Sequence, residues 1–387
     1  MNAKIHKINR KTKIHPLGIA APTDFEFDEG EDIAVETLLK NPHISLYCLD
    51  PDERRVILVE TPEDVVLSDF PFYYSAQYEQ AVRLVTLSYD RLHDIADKID
   101  FDSQQLILIY SVGRCGSTLL SSALNQVNNI TVFSEPDVYS QLVRQRQWNG
   151  NNDALISQLL VSCTKLLCRQ STPKISDRRW VIKLRSYGIE LADLLANNFP
   201  QAKILFLYRQ IETWIPSSLR ASIGEIPDTP ESLESMQKAV GNLVSLIARF
   251  PEPNRPLSYI EILTVTWLSV LECLQRLHQQ GYPPFIINFE DLIATPNSVI
   301  KQIFDFCDLP HNNLSQILKV FTQDSQSSTA LSWENLQRTQ PQLTPEQLEQ
   351  YLREATSLVN CYTNFKNTEL LTSKSLISSS SLLTDEI

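Results

Sequence analysis

One stretch of this 387-residue chain has the residue types and spacing to hold an anion: Leu106–Glu135, LILIYSVGRCGSTLLSSALNQVNNITVFSE. An apolar run, Leu106–Tyr110, has the length of a buried parallel strand and turns through Ser111-Val112-Gly113-Arg114-Cys115-Gly116. Helical spacing then begins at Ser117, with Leu119, Leu120, Ala123 and Leu124 on one apolar face. A strand that feeds a glycine turn and then a helix N-terminus gathers backbone N–H groups and the positive end of the helix dipole. Gly113 and Gly116 permit close backbone approach, Arg114 adds a cation, and Ser117 and Thr118 add hydroxyls. The chemistry is phosphate or sulfate binding, set against an ordinary glycine turn, which a short motif often is. Walker A spacing is missing: two residues separate Gly113 from Gly116, and no lysine precedes Ser117. A cysteine-phosphatase reading of Cys115 at the helix N-terminus fails, because the arginine it needs six positions later is Ser121.

Arg114-Cys115-Gly116-Ser117-Thr118-Leu119-Leu120 resembles the 5′-phosphosulfate loop of the PAPS-dependent sulfotransferases, with Cys115 where serine is usual. The motif style is closest to the bacterial and tyrosylprotein types. A second block, Phe206-Leu207-Tyr208-Arg209 through Ser217, resembles that family's 3′-phosphate motif, an arginine closing a strand with a serine eight residues later. A third, Asn288-Phe289-Glu290-Asp291-Leu292 with Pro296 and Ile303–Phe306, resembles its C-terminal strand–helix segment. The resemblance spans residues 105–310, a domain rather than a lone motif. It implies PAPS as co-substrate and PAP as product, with no metal. The donor would sit on Gly113, Arg114, Cys115, Gly116, Ser117, Thr118, Arg209 and Ser217.

Sulfuryl transfer needs cations and donors aimed at the leaving phosphate, a task that suits Arg114 and the N–H groups of residues 115–118. It also needs a base for the acceptor's proton. No histidine lies between His93 and His278. Glu135 follows a candidate strand end and matches the family's catalytic glutamate, 21 residues beyond the loop arginine. The opposing reading makes it a helix cap before Pro136, and Asp137 is the fallback base. Lys183, closing the Trp180–Lys183 strand, takes by resemblance the lysine role at the transferring sulfonate, ahead of Arg185. Ser218 and Arg220 read equally as exposed helix positions. Trp214 and Trp267 read as acceptor-pocket lining or as helix core. The family's basic glycine-rich loop has no clear counterpart, since Gln323–Ser332 contains no Lys or Arg.

The elements that must position these residues alternate between strand and helix, the order of a parallel sheet with covering helices. Strands are expected at 106–110, 130–133, 180–184, 203–208 and 285–288. Helices are expected near 117–127, 153–169, 188–198, 211–221, 231–249, 258–280 and 297–307. The fold class is α/β: a three-layer parallel sheet with helices on both faces, a P-loop-like sulfotransferase core. The span between Ala221 and Tyr282 reads as a helical cap of two helices near the strand ends. Residues 1–100 read as an N-terminal α+β accessory segment, 101–345 as the sulfotransferase domain, and 346–387 as a C-terminal helix and disordered tail. A further helix is expected over Thr344–Leu358, and disorder from Thr372 through the Ser378–Ser381 run.

In the first hundred residues, Met1–Pro16 is basic and reads as a flexible tail, and the acidic run over 17–40 as solvated surface. His43–Cys48 and Arg55–Glu60 form a hairpin, Gln77–Ile99 a helix, and Phe70, Phe72, Tyr73, Tyr74 and Tyr78 a packing cluster. Hydrophobic content of 43% and charged content of 21% are those of a globular chain. A formal charge of −12 argues against a nonspecific nucleic-acid partner. Seven cysteines without a CxxC pair favour reduced thiols in the cytoplasm. No stretch has transmembrane length. The rivals are a small-molecule or nucleoside kinase, whose Mg²⁺ carboxylate has no assignable residue, and a degenerate nucleotide-binding module. Acceptor and oligomeric state are not legible.

Overall fold

The computed structural model describes residues 3–169, 177–221, 226–250, 255–311, 314–339 and 343–366. Its strands form two sheets. The first is antiparallel, with β1 (Ala3–Lys11), β2 (Phe25–Phe27), β3 (Glu31–Ile33), β4 (Ile44–Asp50), β5 (Arg55–Glu60) and β6 (Arg83–Ser88) in the order β2-β1-β6-β5-β4 and β3 also on β1. The second holds β7 (Leu106–Ser111), β8 (Ile130–Ser134), β9 (Arg179–Lys183), β10 (Lys203–Tyr208) and β11 (Phe285–Asn288) in the order β11-β10-β7-β9-β8. Pairs β10–β11 and β8–β9 are parallel. All five expected strands are present within one residue at each end. The chain divides into two compact units, Met1–Leu108 with Leu124–Leu184 and Asp193–Ala202, and Ile109–Ala123 with Arg185–Ala192 and Lys203–Ile387.

In the first unit every residue of β4 is buried, as are Val56–Glu60 of β5, so this hairpin is the sheet's core. Its turn is held by Arg55 Nε donating to Asp50 (2.9 Å), and Arg54 takes a left-handed φ of 48°. The free edge of β4 is closed by a side chain instead of a strand: Gln141 accepts from Leu49 N (2.7 Å) and donates to Leu49 O (3.0 Å), which blocks edge pairing. Gln141 lies on helix Asp137–Gln145, along which Val138, Tyr139, Leu142 and Val143 carry helical spacing and are buried.

Two sequence expectations are overturned here. The basic N-terminus is not a flexible tail: Ile5 pairs with Val85 of β6, Ala3 with Ile33 of β3, and Ile8 with Phe27 of β2. The acidic run supplies the neighbouring strands, and its charges meet those of β1, Lys4 with Glu29 at 2.9 Å and Arg10 with Glu26. Asp24, inside that run, is buried and accepts from Tyr47 O–H and Ala21 N. Burial, then the Asp24 charge, pushes the Tyr47 hydroxyl well above its ordinary value. The second correction concerns 77–99, which is not one helix but helix Tyr73–Gln80, β6 and helix Tyr89–Ala96. Pairing with β1 and β5 overrides helical spacing in Leu84–Leu87, and Ser88 caps the second helix by accepting from Arg91 N. Phe72, Tyr73 and Tyr74 are buried, as a packing cluster requires.

In the second unit the span between Ala221 and Tyr282 holds three described helices, Pro230–Gly241, Ser245–Arg249 and Tyr259–Gln279, because the expected 231–249 helix breaks at Asn242–Val244. Thr229 and Ser258 close capping boxes with Ser232 and Glu261. The buried Glu190 carboxylate accepts from Ser245 N and Ser269 Oγ, both at 2.9 Å, joining the break to the long helix. The last described helix is Pro345–Lys366; the expected disordered tail from Thr372 lies outside the described residues. Among the described residues no helix is long and apolar enough to cross a membrane.

Removing residues 1–11 should expose the pairing edge of β6 and lower the thermal midpoint by about 10 °C or more, on the scale of a few kcal/mol lost from a domain of this size. Differential scanning calorimetry of the truncated chain reads this directly, and an unchanged midpoint would restore the flexible-tail reading.

Candidate active site

Strand β7 is buried along its whole length and ends on Ser111, whose hydroxyl accepts from Gly113 N (3.3 Å). The loop then takes left-handed backbone at Gly113 (φ 77°), Arg114 (φ 51°) and Gly116 (φ 81°), a concave arrangement that turns successive N–H groups inward. Gly116 has a second reason to lack a side chain, since a Cβ there would lie 3.2 Å from the Phe289 ring and 3.3 Å from Leu292. Helix Ser117–Leu124 starts immediately, its first bond running from Leu120 N to Gly116 O (2.9 Å). First-turn N–H groups have no acceptor within their own helix, and the dipole there favours an anion. Ser117 and Thr118 are buried at this turn.

The loop's carbonyls are held from behind. Trp214 Nε1 donates to Val112 O (3.1 Å) and Gly113 O (2.9 Å). Val112 N donates to Leu207 O of β10 (3.2 Å), and the Cys115 thiol points to the same oxygen (3.5 Å). Cys115 is fully buried, so it offers an anion its backbone and not its sulfur. Trp267 does for the second motif what Trp214 does for the first, donating from Nε1 to Arg209 O (3.2 Å). Both tryptophans are buried and have their indole N–H bonded to backbone, which gives the core reading of them and not the pocket-lining one.

Two arginines are tied together on this scaffold. Arg209 Nη1 donates to Arg114 O (2.8 Å), Arg209 Nε to Thr213 Oγ1 (3.2 Å), and its guanidinium lies 4.3 Å from the Phe289 ring centroid. Thr213 in turn donates to Glu290 Oε1 (2.8 Å). Arg114 Nη1 donates to Gln326 Oε1 (3.1 Å), while its Nε is buried with no partner. Burial, then the charges of Arg209 and Arg220, pushes the Arg114 value down. Burial does the same to Arg209, against the opposing carboxylate of Glu290. Among the described residues no carboxylate forms an ion pair with either arginine. Ser217 is buried on helix Ile211–Arg220, one turn beyond Thr213 on the same face, with Ser218 buried beside it and Arg220 exposed.

In the other unit, β8 and β9 run in register from Ile130–Arg179 to Ser134–Lys183. The ladder continues one step, Glu135 N donating to Lys183 O (2.7 Å), and Lys183 Nζ donates to the Glu135 carboxylate. Side-chain exposure is 3% for Lys183 and 15% for Glu135. Glu135 holds a left-handed φ of 62°, a conformation of order 1 kcal/mol or more above the usual ones for a residue with a Cβ. It is not the helix cap; Pro136 occupies that position. Asp137 is almost fully buried and accepts from Ala20 N (2.8 Å), a structural tie to the N-terminal segment. Arg185 is half-buried at the start of the turn Ser186–Leu191.

The structure therefore brings Arg114 to Arg209 and Glu135 to Lys183, pairings that spacing alone does not reveal. Phe289, Thr213, Glu290 and Gln326 were given no site role. Phe289 and Glu290 stand in a quoted motif, and Thr213 shares the helical face of Ser217. Gln326 lies in the segment that lacks Lys and Arg, so its only signal is position. Among the described residues no group of three or more His, Cys, Asp or Glu could hold a metal ion.

The family model described as the sulfotransferase family matches residues 105–313. No curated protein matches the chain. Among solved structures, the chain is similar to mouse sulfotransferase SULT7A1 complexed with PAP (15% identity, 62% of this chain and 73% of that one, TM-score 0.31). It is also similar to the sulfotransferase domain from the curacin biosynthetic pathway (17%, 66% and 96%, TM-score 0.34) and to sulfotransferase STF9 from Mycobacterium avium (13%, 73% and 83%, TM-score 0.37). Likenesses at this level say nothing of ligand or residue roles. The family match, by contrast, covers more than half of the sequence and begins and ends around the strands and loops described above: the chain belongs to the sulfotransferase family.

Proposed function

We propose that this sulfotransferase takes PAPS as donor, moves its sulfonate to a hydroxyl or amine of an unidentified acceptor, and releases PAP. The observation that carries the reading is the Arg114–Arg209 pair, two half-buried cations on a backbone cradle with no carboxylate ion-paired to them among the described residues. A buried N–H without an acceptor costs roughly 1–3 kcal/mol, more on a charged group, and an anionic ligand would remove that cost. In the proposed arrangement the 5′-phosphate lies on residues 113–118 and the 3′-phosphate on Arg209 and Ser217. Arginine at that point can engage a phosphate bidentately, which lysine cannot copy.

In the transfer, the bond between sulfur and the bridging oxygen breaks and its electrons stay on the phosphate of PAP. A new bond joins sulfur to the acceptor oxygen or nitrogen, and the acceptor's proton moves to a base. Arg114 and the loop N–H groups stabilise the charge gathering on the leaving phosphate. Glu135 is the proposed base and Lys183 the proposed contact to the sulfonate. What supports this division is that the two side chains are hydrogen-bonded to each other, so that a base and a sulfonate contact stand at one point, whereas the Asp137 carboxylate accepts from Ala20 N. The transfer function is assigned to residues 101–345, with 1–100 accessory and 346–387 a C-terminal extension. A cytoplasmic location belongs to the same proposal and rests on the cysteines, of which the seven present are all free thiols and six are buried.

Arg209→Ala should weaken PAP binding by about 2 kcal/mol or more, roughly 30-fold, as the loss of a charge-assisted, partly buried contact. Titration calorimetry measures it, and unchanged affinity would remove Arg209 from the donor site. Glu135→Gln keeps the shape of the side chain but cannot take up a proton. Its turnover should fall about 100-fold or more with donor affinity nearly unchanged. Asp137→Asn should be mild on turnover. If Asp137→Asn abolishes transfer while Glu135→Gln retains it, the two roles are exchanged.

A further inference from the structure

Arg114 and Gln326 are 212 residues apart, yet Gln326 Oε1 accepts from Arg114 Nη1 at 3.1 Å. The turn that carries Gln326 is built to hold it still. Asp324 Oδ1 accepts from Gln326 N (2.9 Å) and Asp324 Oδ2 from Trp333 N (2.7 Å), so this carboxylate is engaged on both oxygens by backbone. Thr329 Oγ1 donates to Gln326 O (2.7 Å), and Asn335 Nδ2 donates to Thr329 O (2.8 Å). Ser328 adopts a left-handed φ of 62° to close the turn. The acid in this turn thus faces the backbone, and the group offered to the guanidinium is an uncharged amide.

We infer that Gln326 is a positioning residue for the donor loop: its neutral carboxamide orients the Arg114 guanidinium without neutralising it. The remaining N–H groups of Arg114, including the buried and unpartnered Nε, are then left to the anion of the donor. A carboxylate at the same point would orient Arg114 equally well. It would also form a charge-assisted pair and oppose a bound phosphate at short range. An apolar side chain would leave the guanidinium charged but free to rotate. The choice of an amide is what an anion site requires of a residue that must hold its cation in place.

The inference rests on the donor reading above, and its test separates the two. Wild-type chain, Gln326→Glu and Gln326→Ala are titrated with PAP, and thermal midpoints and the kcat and KM for PAPS are measured on each. Gln326→Glu should keep or raise the midpoint yet weaken PAP about 30-fold or more, whereas Gln326→Ala should weaken it only about 3- to 10-fold. The defect should appear in KM for PAPS, with kcat at saturating donor little changed. A structural role alone would not move midpoint and affinity in opposite directions. Wild-type affinity for PAP in Gln326→Glu would overturn the inference and leave the donor reading standing. So would a loss in Gln326→Ala as large as in Gln326→Glu together with a lowered midpoint. Failure of the wild-type chain to bind PAP would overturn the donor reading and the inference with it.

Discussion

Two like charges, tied by backbone and with no neutralising acid among the described residues, are the constraint around which the second unit is built. Arg209 donates to the main-chain carbonyl of Arg114, so its guanidinium is tied to the loop by backbone and not by an acid. Burial disfavours the charged form of both, and at Arg114 the charges of Arg209 and Arg220 add to it. The surrounding structure resists this from several directions. The Phe289 ring lies against Arg209, Thr213 accepts from its Nε, and Glu290 stands one hydroxyl further away. The tryptophan indoles then fix the carbonyls on which both motifs turn. A cationic site so rigidly supported is suited to a ligand that brings its own negative charge, because little must rearrange on binding.

The first unit holds its charged side chains with partners from the chain itself. Its buried carboxylate Asp24 is met by Tyr47, and Arg146 is bracketed by Asp153 and Asp193 at 2.8 and 2.6 Å. Arg169, half-buried and pushed down to about 10 by burial, donates to the carbonyls of Leu166, Asn41 and Ile44. These are structural ions with every neighbour supplied by the chain. Arg114 differs in that its buried Nε has no partner from the chain among the described residues. That contrast within one molecule separates a binding site from a tie between segments.

What the sequence made legible was local. Leu106–Tyr110 followed by glycines, and Phe206–Tyr208 followed by Arg209, announce a strand and its loop within a few residues. The hairpin over 44–60 was equally plain, since apolar β-branched runs flank an Asp-Pro turn. What was illegible depends on partners far along the chain. Strand β1 looked like a charged tail because its pairing with β6 lies some 80 residues away and its neutralising acids form a separate run. The helical spacing over 77–99 concealed β6 for the same reason. Trp214 and Trp267 are unremarkable helix residues until their acceptors, 102 and 58 residues distant, are seen. Gln326 had no signature, since the expected signal was a cation and the residue is neutral.

The central claim is that the arginine pair reads a nucleotide by two phosphates and not one. Affinities of the wild-type chain for PAP and for adenosine 5′-phosphate, measured by titration calorimetry in one buffer and salt, test it most directly. The account predicts PAP tighter by about 30-fold or more, the worth of a partly buried, charge-assisted clamp on the 3′-phosphate. Equal affinity for the two nucleotides would contradict it, because the chain would then have no 3′-phosphate site.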